Sequence, residues 1–496
     1  MTDQPAEQLV DGRRGKVLQV EMAGADVIGE ADRKGEPRSL FWPWFAANIS
    51  VLGISYGAWI LDMGVSFGQA CVAGAIGVVL SFFLCGVVAL AGKRGGAPTM
   101  VLARSALGVV GNRVAAVLSW IVTVGWETVM ASLAVMATAT VCRALGAPHG
   151  IGLEVVAVVV VAALIVGGGV IGFDLIMRMQ TVISVITGVL TVGYLCLTLG
   201  RIDLGAVAAL PNGSAQAFIG VAVFAFTGFG LGWVNVAADY SRYLPRGASS
   251  AGVIGWTTFG AAVAPLALLG WGLLLAGSDP TLRGRISADP IGALTTVLPT
   301  WYLAPFGLVA ILGLVGAAVL DIYSSGLALV SAGIPIRRPV AAGIDGAIMI
   351  AGTVYIVFGG SQFFDVFRQF LITLGTPIAA WAGIMLADVL LRRRPYAEAD
   401  LFDPRGRYGA VAPGPLAVMA LGAVVGWGFI VNSFEGAGFL DWLGYFMGAV
   451  GGRAGVWREA DLGVLFALVI GFVGTVALTR GRVRAQEALD LGRAAA

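Results

Sequence analysis

FAFTGFGLGWVNVAADYSRYLP, residues 224–245, is the stretch that decides the fold. It belongs to an apolar run, 218–245, that is long enough to cross a membrane. The run nevertheless holds three glycines at alternate positions, followed by two polar residues: Gly228, Gly230, Gly232, Asn235 and Asp239. Glycine loosens a helix, and a carboxylate in lipid is costly. Non-helical backbone survives at membrane depth only where protein buries it or where it lines a cavity. We therefore predict a broken helix whose break faces a binding site.

The whole chain has the composition of a polytopic membrane protein. Of its 496 residues 58% are hydrophobic and only 12% are charged, and apolar runs of membrane-crossing length recur throughout. The sequence predicts an all-α bundle with twelve transmembrane helices: 41–65, 70–92, 114–142, 153–173, 179–199, 217–241, 251–277, 301–334, 340–359, 363–391, 411–433 and 462–479. We expect a lipid bilayer, the plasma (inner) membrane, to surround it, and we expect a monomer.

The loop charges orient this bundle. If the N-terminus lies inside, 24 of the 31 lysines and arginines fall on the inner side, so both termini are predicted to be cytosolic. Residues 1–40 and 480–496 are then expected to be cytosolic tails, the first of them flexible. The polar segment 93–113 is predicted to form an amphipathic helix lying on the cytosolic face.

An internal repeat is suggested by span one, which is interrupted like span six. Its sequence NISVLGISYGAWILDMG, residues 48–64, contains Gly53 and Gly57 within an apolar run, and we predict a second break around them. Spans one and six begin consecutive groups of five, 41–199 and 217–391, with spans eleven and twelve in 411–479. An odd number of spans per group inverts the second copy. The substrate site is expected between the two breaks.

Four acidic side chains inside the spans mark candidate sites: Asp62, Glu127, Asp239 and Asp321. Such residues face the bundle interior or an interface because lipid excludes their charge. Asp239 lies near the end of span six, and we expect it to pair with Arg242 or Arg246 rather than to bind a ligand. For Asp62 both interpretations stay open. Glu127 and Asp321 are more central and have no neighbouring base, which favours a role in binding substrate or a cation.

Aromatic residues supply the other half of the predicted site. Trp126 directly precedes Glu127, and Trp233 follows the glycine cluster beside Phe229 and Gly230. Two aromatic faces can sandwich a flat heterocycle while polar groups read its edge. One helical turn of span eight adds further polar candidates: Asp321, Tyr323, Ser324 and Ser325.

Several other classes of protein lack support. The sequence has no Walker A motif, no HExxH motif, no soluble domain and no filter-like loop. The four cysteines have no metal-type spacing, and His149, the only histidine, lies in a short loop. We therefore expect no cofactor, no metal and no nucleic-acid partner. A membrane-embedded enzyme or a channel is less favoured than a carrier.

Five segments resemble the nucleobase:cation symporter-1 family, the purine–cytosine permeases and hydantoin carriers. They are WPWFAANISV (42–51), KRGGAPTMVLARSALGVVGN (93–112), VGWETVMAS (124–132), GWVNVAADYSRYLP (232–245) and LDIYSSGLALVSAGI (320–334). The resemblance, over about residues 40–480, implies a five-plus-five inverted-repeat fold with broken helices one and six. It also implies that Trp126 stacks on the substrate ring, that Trp233 or Phe229 packs on its other face, and that Asp321 and Tyr323 read its edge.

The sequence also departs from this family. Sodium-coupled members have hydroxyl residues where this chain has Gly316 and Ala317, and helix three often has an amide where it has Met130. The hypothesis is therefore an importer of a nucleobase-like heterocycle (purine, cytosine or a related ring) driven by a cation, a proton rather than sodium. Glu127 or Asp321 would carry the proton, with Ser324 and Ser325 nearby. The alternative is a carrier of another small solute, such as an amino acid or a quaternary amine.

Overall fold

The structure is a computed structural model that describes residues 26–146, 150–170, 173–334, 336–359, 363–434 and 437–495. Of residues 173–180, 338 and 490–495 only the backbone is described. Residues 1–25 of the predicted N-terminal tail and the loop residue His149 lie outside the described ranges. Within those ranges the chain is helical and contains no β-strand.

Twelve helical segments, labelled α1 to α12, account for most of the chain. Ten are long and apolar enough to cross a membrane, the two halves of α1 qualify together, and α11 is shorter. The twelve membrane crossings therefore stay a prediction. The bounds are Phe41–Asn48 and Leu52–Asp62 (α1), Phe67–Gly95 (α2), Asn112–Ala144 (α3), Ile151–Val170 (α4), Phe173–Thr198 (α5), Ala215–Gly228 (α6), Ser250–Ser278 (α7), Leu303–Ser331 (α8), Arg338–Phe358 (α9), Phe363–Leu391 (α10), Pro413–Gly428 (α11) and Leu462–Ala495 (α12).

The break in α6 lies at the glycine cluster, as the sequence predicts. The α-helix ends at Gly228, and Phe229 has a non-helical backbone (φ −106°, ψ −88°). A 3₁₀ stretch, Leu231–Val236, and one α-turn, Ala238–Ser241, complete the crossing. Side chains of neighbouring helices satisfy the backbone groups that the break releases. The Tyr56 hydroxyl donates to the Gly228 carbonyl at 2.9 Å, and the Gly230 N–H donates to Ser81 Oγ at 3.0 Å.

The break in α1 is also present, but the predicted position around Gly53 and Gly57 is wrong. The two halves meet at 66°, and the break falls between Asn48 and Leu52. Both glycines lie in the regular second half, where they allow close packing on α7. A Cβ on Gly57 would stand 2.2 Å from the carbonyl carbon of Gly272.

Each broken helix packs on the second helix of the other predicted repeat. The second half of α1 packs on α7, and α6 packs on α2. The helices α2 and α7 also pack on each other, as do α3 and α8. An inverted repeat that relates α1 to α6 and α2 to α7 requires this pattern, so the packing supports the predicted repeat.

Both predicted tails differ from the structure where it describes them. Residues 26–40 are docked rather than flexible, because the Ile28 N–H donates to the Gly96 carbonyl and the Lys34 N–H to the Tyr243 carbonyl, each at 2.8 Å. At the other end α12 continues through 480–495 as helix. Arg482 there donates to the Ala106 carbonyl at 3.0 Å. The prediction ended this helix at 479, where apolarity stops but no helix breaker occurs.

The prediction of one amphipathic surface helix in 93–113 is also wrong. Two single turns, Thr99–Leu102 and Arg104–Leu107, are buried inside the bundle. A buried ion pair at the end of α10, Asp388–Arg392 with an N–O distance of 2.7 Å, holds the segment. The Ser105 hydroxyl donates to Asp388 at 2.8 Å, and Arg392 donates to the Ser105 carbonyl at 3.1 Å. The polar residues of this segment therefore serve internal contacts rather than a membrane surface.

Candidate functional site

A narrow slot beside Trp126 lies where α3, the break of α6 and α10 meet. Its lining residues from α3 and α6 are Val122, Trp126, Thr227, Leu231 and Gly232, and those from α10 are Phe370, Leu371, Leu374, Gly375 and Ile378. The rings of Phe367 and Phe370 stand edge-on to Trp126, with centroids 5.6 and 5.8 Å away. A Cβ on Gly232 would lie 2.5 Å from Trp126 Nε1, so the missing side chain lets the indole lie against the break. The predicted helix-three tryptophan thus faces the predicted helix-six break.

The slot is closed in this conformation. Its free volume is about 10 Å³, far below the ~300–1,000 Å³ of typical ligand pockets. A larger cavity of about 610 Å³ lies on the outer surface between α2 and α7, and apolar residues such as Val79 and Phe259 line it. That surface lacks the few convergent polar groups that orient a small ligand. The slot is therefore the better candidate, and a ring can enter it only if the helices move.

The other predicted aromatic contacts do not line the slot. The Phe229 ring packs 4.3 Å from Tyr56 in an aromatic cluster with Trp59, Phe224 and Phe367. Trp233 is half-buried, and its indole contacts Trp44 edge-on at 6.0 Å. Gly230 turns towards α2, where its carbonyl accepts a hydrogen bond from the Cys85 thiol at 3.1 Å. Met130 of α3 is buried. Trp126 is thus the one predicted ring at the slot within the described residues.

Gly53 and Gly57, predicted as substrate contacts, face α7 instead. A Cβ on Gly53 would lie 3.0 Å from the Leu268 Cβ, and Gly57 approaches the backbone of Gly272. Glycine is required at Gly57 because the two helix backbones pass too closely there for any side chain, and at Gly53 it makes room for the Leu268 side chain. These positions therefore have a packing role, and the structure removes the reason for assigning them to the substrate.

The predicted polar residues of α3 and α8 meet in a buried group that we call the polar core. It consists of Glu127, Asp239, Asp321, Ser324, Ser325 and Asp345, all no more than 4% exposed. Glu127 faces Ser325, Asp345 and Asp321, while Ser324 faces Asp239 and Tyr240. Although these groups face one another, neither oxygen of Glu127 nor the Ser324 hydroxyl makes a hydrogen bond of normal geometry. Buried polar groups are normally satisfied, so these atoms make the polar core a candidate site for a small polar species.

Sequence analysis missed Asp345, although it lies within the predicted ninth span. The Trp120 indole N–H donates to its Oδ1 at 2.5 Å, and the Ser325 hydroxyl donates to its Oδ2 at 2.7 Å. The signal that identified Glu127, a carboxylate within an apolar run, also applies to the segment IDGAIM, residues 344–349. The role of Trp120 as its donor could not be read from the sequence, because it depends on how α3 and α9 pack.

Asp239 and Arg242 close one end of the bundle. Asp239 accepts hydrogen bonds from the Thr99 N–H (2.8 Å) and hydroxyl (2.7 Å). The buried Arg242 donates to the Tyr323 hydroxyl at 3.0 Å, and its charge acts on Asp239. Arg246 pairs with Glu30 at 3.2 Å, not with Asp239. The expectation that Asp239 is a helix-end residue fits these contacts, and Tyr323 joins this closure rather than the slot.

No three His, Cys, Asp or Glu side chains in the described ranges are close enough together to hold a metal ion. The predicted sodium position lacks side-chain oxygens at Gly316 and Ala317. The Ile49 carbonyl at the break of α1 nevertheless approaches α8, since a Cβ on Gly313 would lie 3.1 Å from it. The groups that set this region apart chemically are the Trp126 indole at the slot and the buried carboxyl groups of the polar core.

Solved transporters share this fold. The chain matches the nucleobase-cation-symport-1 family transporter Mhp1, closed with bromovinylhydantoin bound, at a TM-score of 0.68 and 19% identity, over 94% of this chain and 97% of Mhp1. For inward-facing Mhp1 the TM-score is 0.65 at 19% identity, over 95% and 96% of the two chains. A Na⁺-coupled sialic acid symporter matches at 0.56 and 11%, over 90% and 91%. The chain therefore has the fold of these multi-pass membrane transporters.

The sequence identifies the family. The family described as permease for cytosine/purines, uracil, thiamine, allantoin matches residues 27–451. A Bacillus subtilis (strain 168) protein named "Putative purine-cytosine permease YxlA" is 23% identical over 407 residues, which is 79% of this chain and 84% of that protein. The chain therefore belongs to this permease family, the nucleobase:cation symporter-1 family. Its relatives are transporters, not enzymes.

Proposed function

We propose that the protein imports a nucleobase-like heterocycle by proton symport. The position of Trp126 against the break of α6 is the observation that supports this substrate class most. An indole face suits a flat ring, and the family includes carriers of cytosine and purines. The ring would enter between α3, α6 and α10 when the slot opens. Trp233 is favoured over Phe229 as the second stacking surface, because Phe229 is enclosed in the aromatic cluster.

Access to the site would alternate by rocking of α1, α2, α6 and α7 against the other helices. The close packing of α1 on α7 and of α6 on α2 supports their moving as one unit. The bundle end with Arg33, Thr99 and Arg246, which we call the latch face, is expected to face the cytosol because the loop charges concentrate there. Both termini would then be cytosolic, with twelve crossings of the plasma membrane in a monomer.

Proton coupling is favoured over sodium coupling for a chemical reason. Sodium prefers several oxygen ligands, and α8 offers no side-chain oxygen at Gly316 or Ala317. The polar core instead offers carboxyl groups, of which Glu127 and Asp321 are the proposed proton carriers. A carboxyl group is neutral while it carries the proton, so the loaded state adds no charge to the apolar interior.

Uptake by reconstituted protein tests this proposal. Proteoliposomes with an inward proton gradient should accumulate labelled cytosine, hypoxanthine or hydantoin without sodium, and a protonophore should abolish accumulation. Accumulation that needs sodium but survives the protonophore would contradict proton coupling. Binding of amines or amino acids but of none of these rings would favour the other solute class.

A further inference from the structure

Asp345 on α9 has an environment that suits a charged carboxylate. Each oxygen accepts one hydrogen bond, Oδ1 from the Trp120 indole and Oδ2 from the Ser325 hydroxyl, and the residue is fully buried. Donors aimed at both oxygens replace the water that burial removes. The three side chains come from α9, α3 and α8, so the arrangement ties three helices together.

Glu127 has the opposite environment. It is fully buried, and neither of its oxygens accepts a hydrogen bond of normal geometry, because the Ser325 hydroxyl that faces it donates to Asp345 at 2.7 Å. The titratable groups that face it are Asp345 on α9 and Asp321 on α8, both acidic, and Ser325 is the polar side chain between Glu127 and Asp345. A buried carboxylate without donors and beside other acids is strongly unfavourable when charged. A proton on Glu127 would remove this unfavourable charge.

We propose that Glu127, Ser325 and Asp345 form the binding site of the coupling proton, with Asp345 as a fixed counter-charge that Trp120 holds in place. This inference rests on the proposed proton symport and adds the location of the proton to it. One proton passes from water on the uptake side to a Glu127 carboxylate oxygen and later returns to water on the other side. No other bond forms or breaks.

The location explains how the proton and the substrate are linked. Trp126 and Glu127 are adjacent on α3, so their side chains point about 100° apart around the helix. Trp126 faces the slot with α6 and α10, and Glu127 faces α8 and α9. A ring stacked on Trp126 therefore fixes the same turn of α3 that carries the proton. Two other carboxyl groups are weaker candidates. Asp239 already accepts a hydrogen bond from the Thr99 N–H, and Asp321 faces Tyr240, which belongs to the mobile unit.

Equilibrium binding at varied pH tests the site directly. Purified full-length protein is titrated with tritiated cytosine, hypoxanthine and hydantoin from pH 5 to pH 9, beside E127Q, D345N and W120F. For the wild type, affinity should fall as pH rises, approaching tenfold per pH unit once the proton is lost. E127Q, which mimics the neutral acid, should bind with the low-pH affinity at every pH.

The two positioning variants should shift this pH profile in opposite directions. D345N removes the negative charge beside the proton, so the proton is lost more readily and the fall in affinity should begin at lower pH. W120F removes a donor from Asp345 and leaves its charge less compensated, so the fall should begin at higher pH. Asp441, an exposed loop carboxylate, provides the control D441N with a wild-type profile. Thermal unfolding and gel filtration check that each variant is folded.

The outcomes separate the two proposals. If no ring binds at any pH, the proposed function fails. If rings bind and proton-driven uptake persists, but E127Q keeps the wild-type pH profile, the proton lies elsewhere and only this inference is overturned. Titration calorimetry in buffers of different ionisation enthalpy measures the protons taken up when the ring binds. It distinguishes the same outcomes with the wild type and E127Q alone. At a pH where the affinity of the wild type is already falling tenfold per unit, about one proton should be taken up per ring by the wild type, and none by E127Q.

Discussion

Trp126 is the residue on which the proposed substrate contact depends most. Stacking of a base on an aromatic side chain contributes about 1–3 kcal/mol. We therefore expect Trp126→Ala to weaken ring binding by roughly 5- to 150-fold, and Trp126→Phe, which keeps an aromatic face, to weaken it less. Scintillation proximity measurement of Kd checks this. Trp301→Ala is the matched control, because Trp301 is exposed and far along the chain from the slot. Wild-type affinity in Trp126→Ala would remove the stacking assignment.

Gly232 tests the geometry of the slot rather than its chemistry. A Cβ there would stand 2.5 Å from Trp126 Nε1, so the Trp126 indole must move in the Gly232→Ala variant. We expect a loss of ring affinity, about tenfold, with little change in thermal stability, because the neighbour is the edge of a side chain and not backbone. Gly255→Ala on α7 is the control, since nothing lies within 4 Å of its Cβ position. Equal affinities for the two variants would show that Trp126 does not need its present position.

Individual site residues could be predicted where polarity alone marks them. Glu127, Asp321, Ser324 and Ser325 stand out because lipid excludes polar groups, and the structure brings them together in the polar core. Asp345 carries the same signal. Gly53, Gly57 and Gly230, which contact other helices in this conformation, were chosen on a different signal. Glycine indicates only that something approaches closely, and the sequence does not say whether that neighbour is a ligand or another helix.

The contact between α1 and α7 is a close helix crossing and belongs to the element scale. Gly57 and Gly272 meet backbone to backbone, and a Cβ on Gly57 would lie 2.2 Å from the Gly272 carbonyl carbon. We expect Gly57→Ala to destabilise the protein by about 1–3 kcal/mol, because overpacking here must separate two helices. Thermal unfolding in detergent measures this. Gly270→Ala, in open space on the same α7, should leave the unfolding temperature unchanged. Equal stability of the two variants would mean that the crossing relaxes freely.

The elements themselves were more predictable than their ends. Apolar length located all the long helices, and the glycine cluster located the break of α6. The break of α1 was misplaced because its sequence ANISV, residues 47–51, contains no glycine or proline to mark it. The segment 93–113 was misassigned because its charged residues meet internal partners, such as Arg104 donating to the Ser331 carbonyl at 3.1 Å. Such pairing depends on contacts distant in sequence.

At the scale of the whole molecule, the structure is closed towards the latch face. The N-terminal segment, the α6–α7 loop and the α10–α11 loop meet there around Glu398. Arg33 donates to Glu398 at 2.8 Å, Arg246 pairs with the same carboxylate, and Glu30 bridges the two arginines at 3.3 and 3.2 Å. The α6–α7 loop belongs to the proposed mobile unit, and the α10–α11 loop to the rest. The network must therefore break whenever the site opens on this side.

We expect Glu398→Gln to shift the population towards a conformation that is open at the latch face. Partly exposed ion pairs contribute up to about 1 kcal/mol each, so losing two of them predicts a shift of several-fold to roughly 30-fold. Spin labels at Gly247→Cys and Arg405→Cys, exposed positions on either side of Glu398, report the opening when the four native cysteines are replaced by serine. Distances between the two labels, measured by double electron–electron resonance, should gain a longer component in Glu398→Gln. Glu36→Gln is the control. It removes an ion pair with Arg38 (2.6 Å) in which both side chains are exposed and both belong to the N-terminal segment, so it joins no two parts of the bundle. If both variants keep the wild-type distribution, the latch does not restrain opening, and the contacts of Thr99 and Arg242 alone hold this face closed.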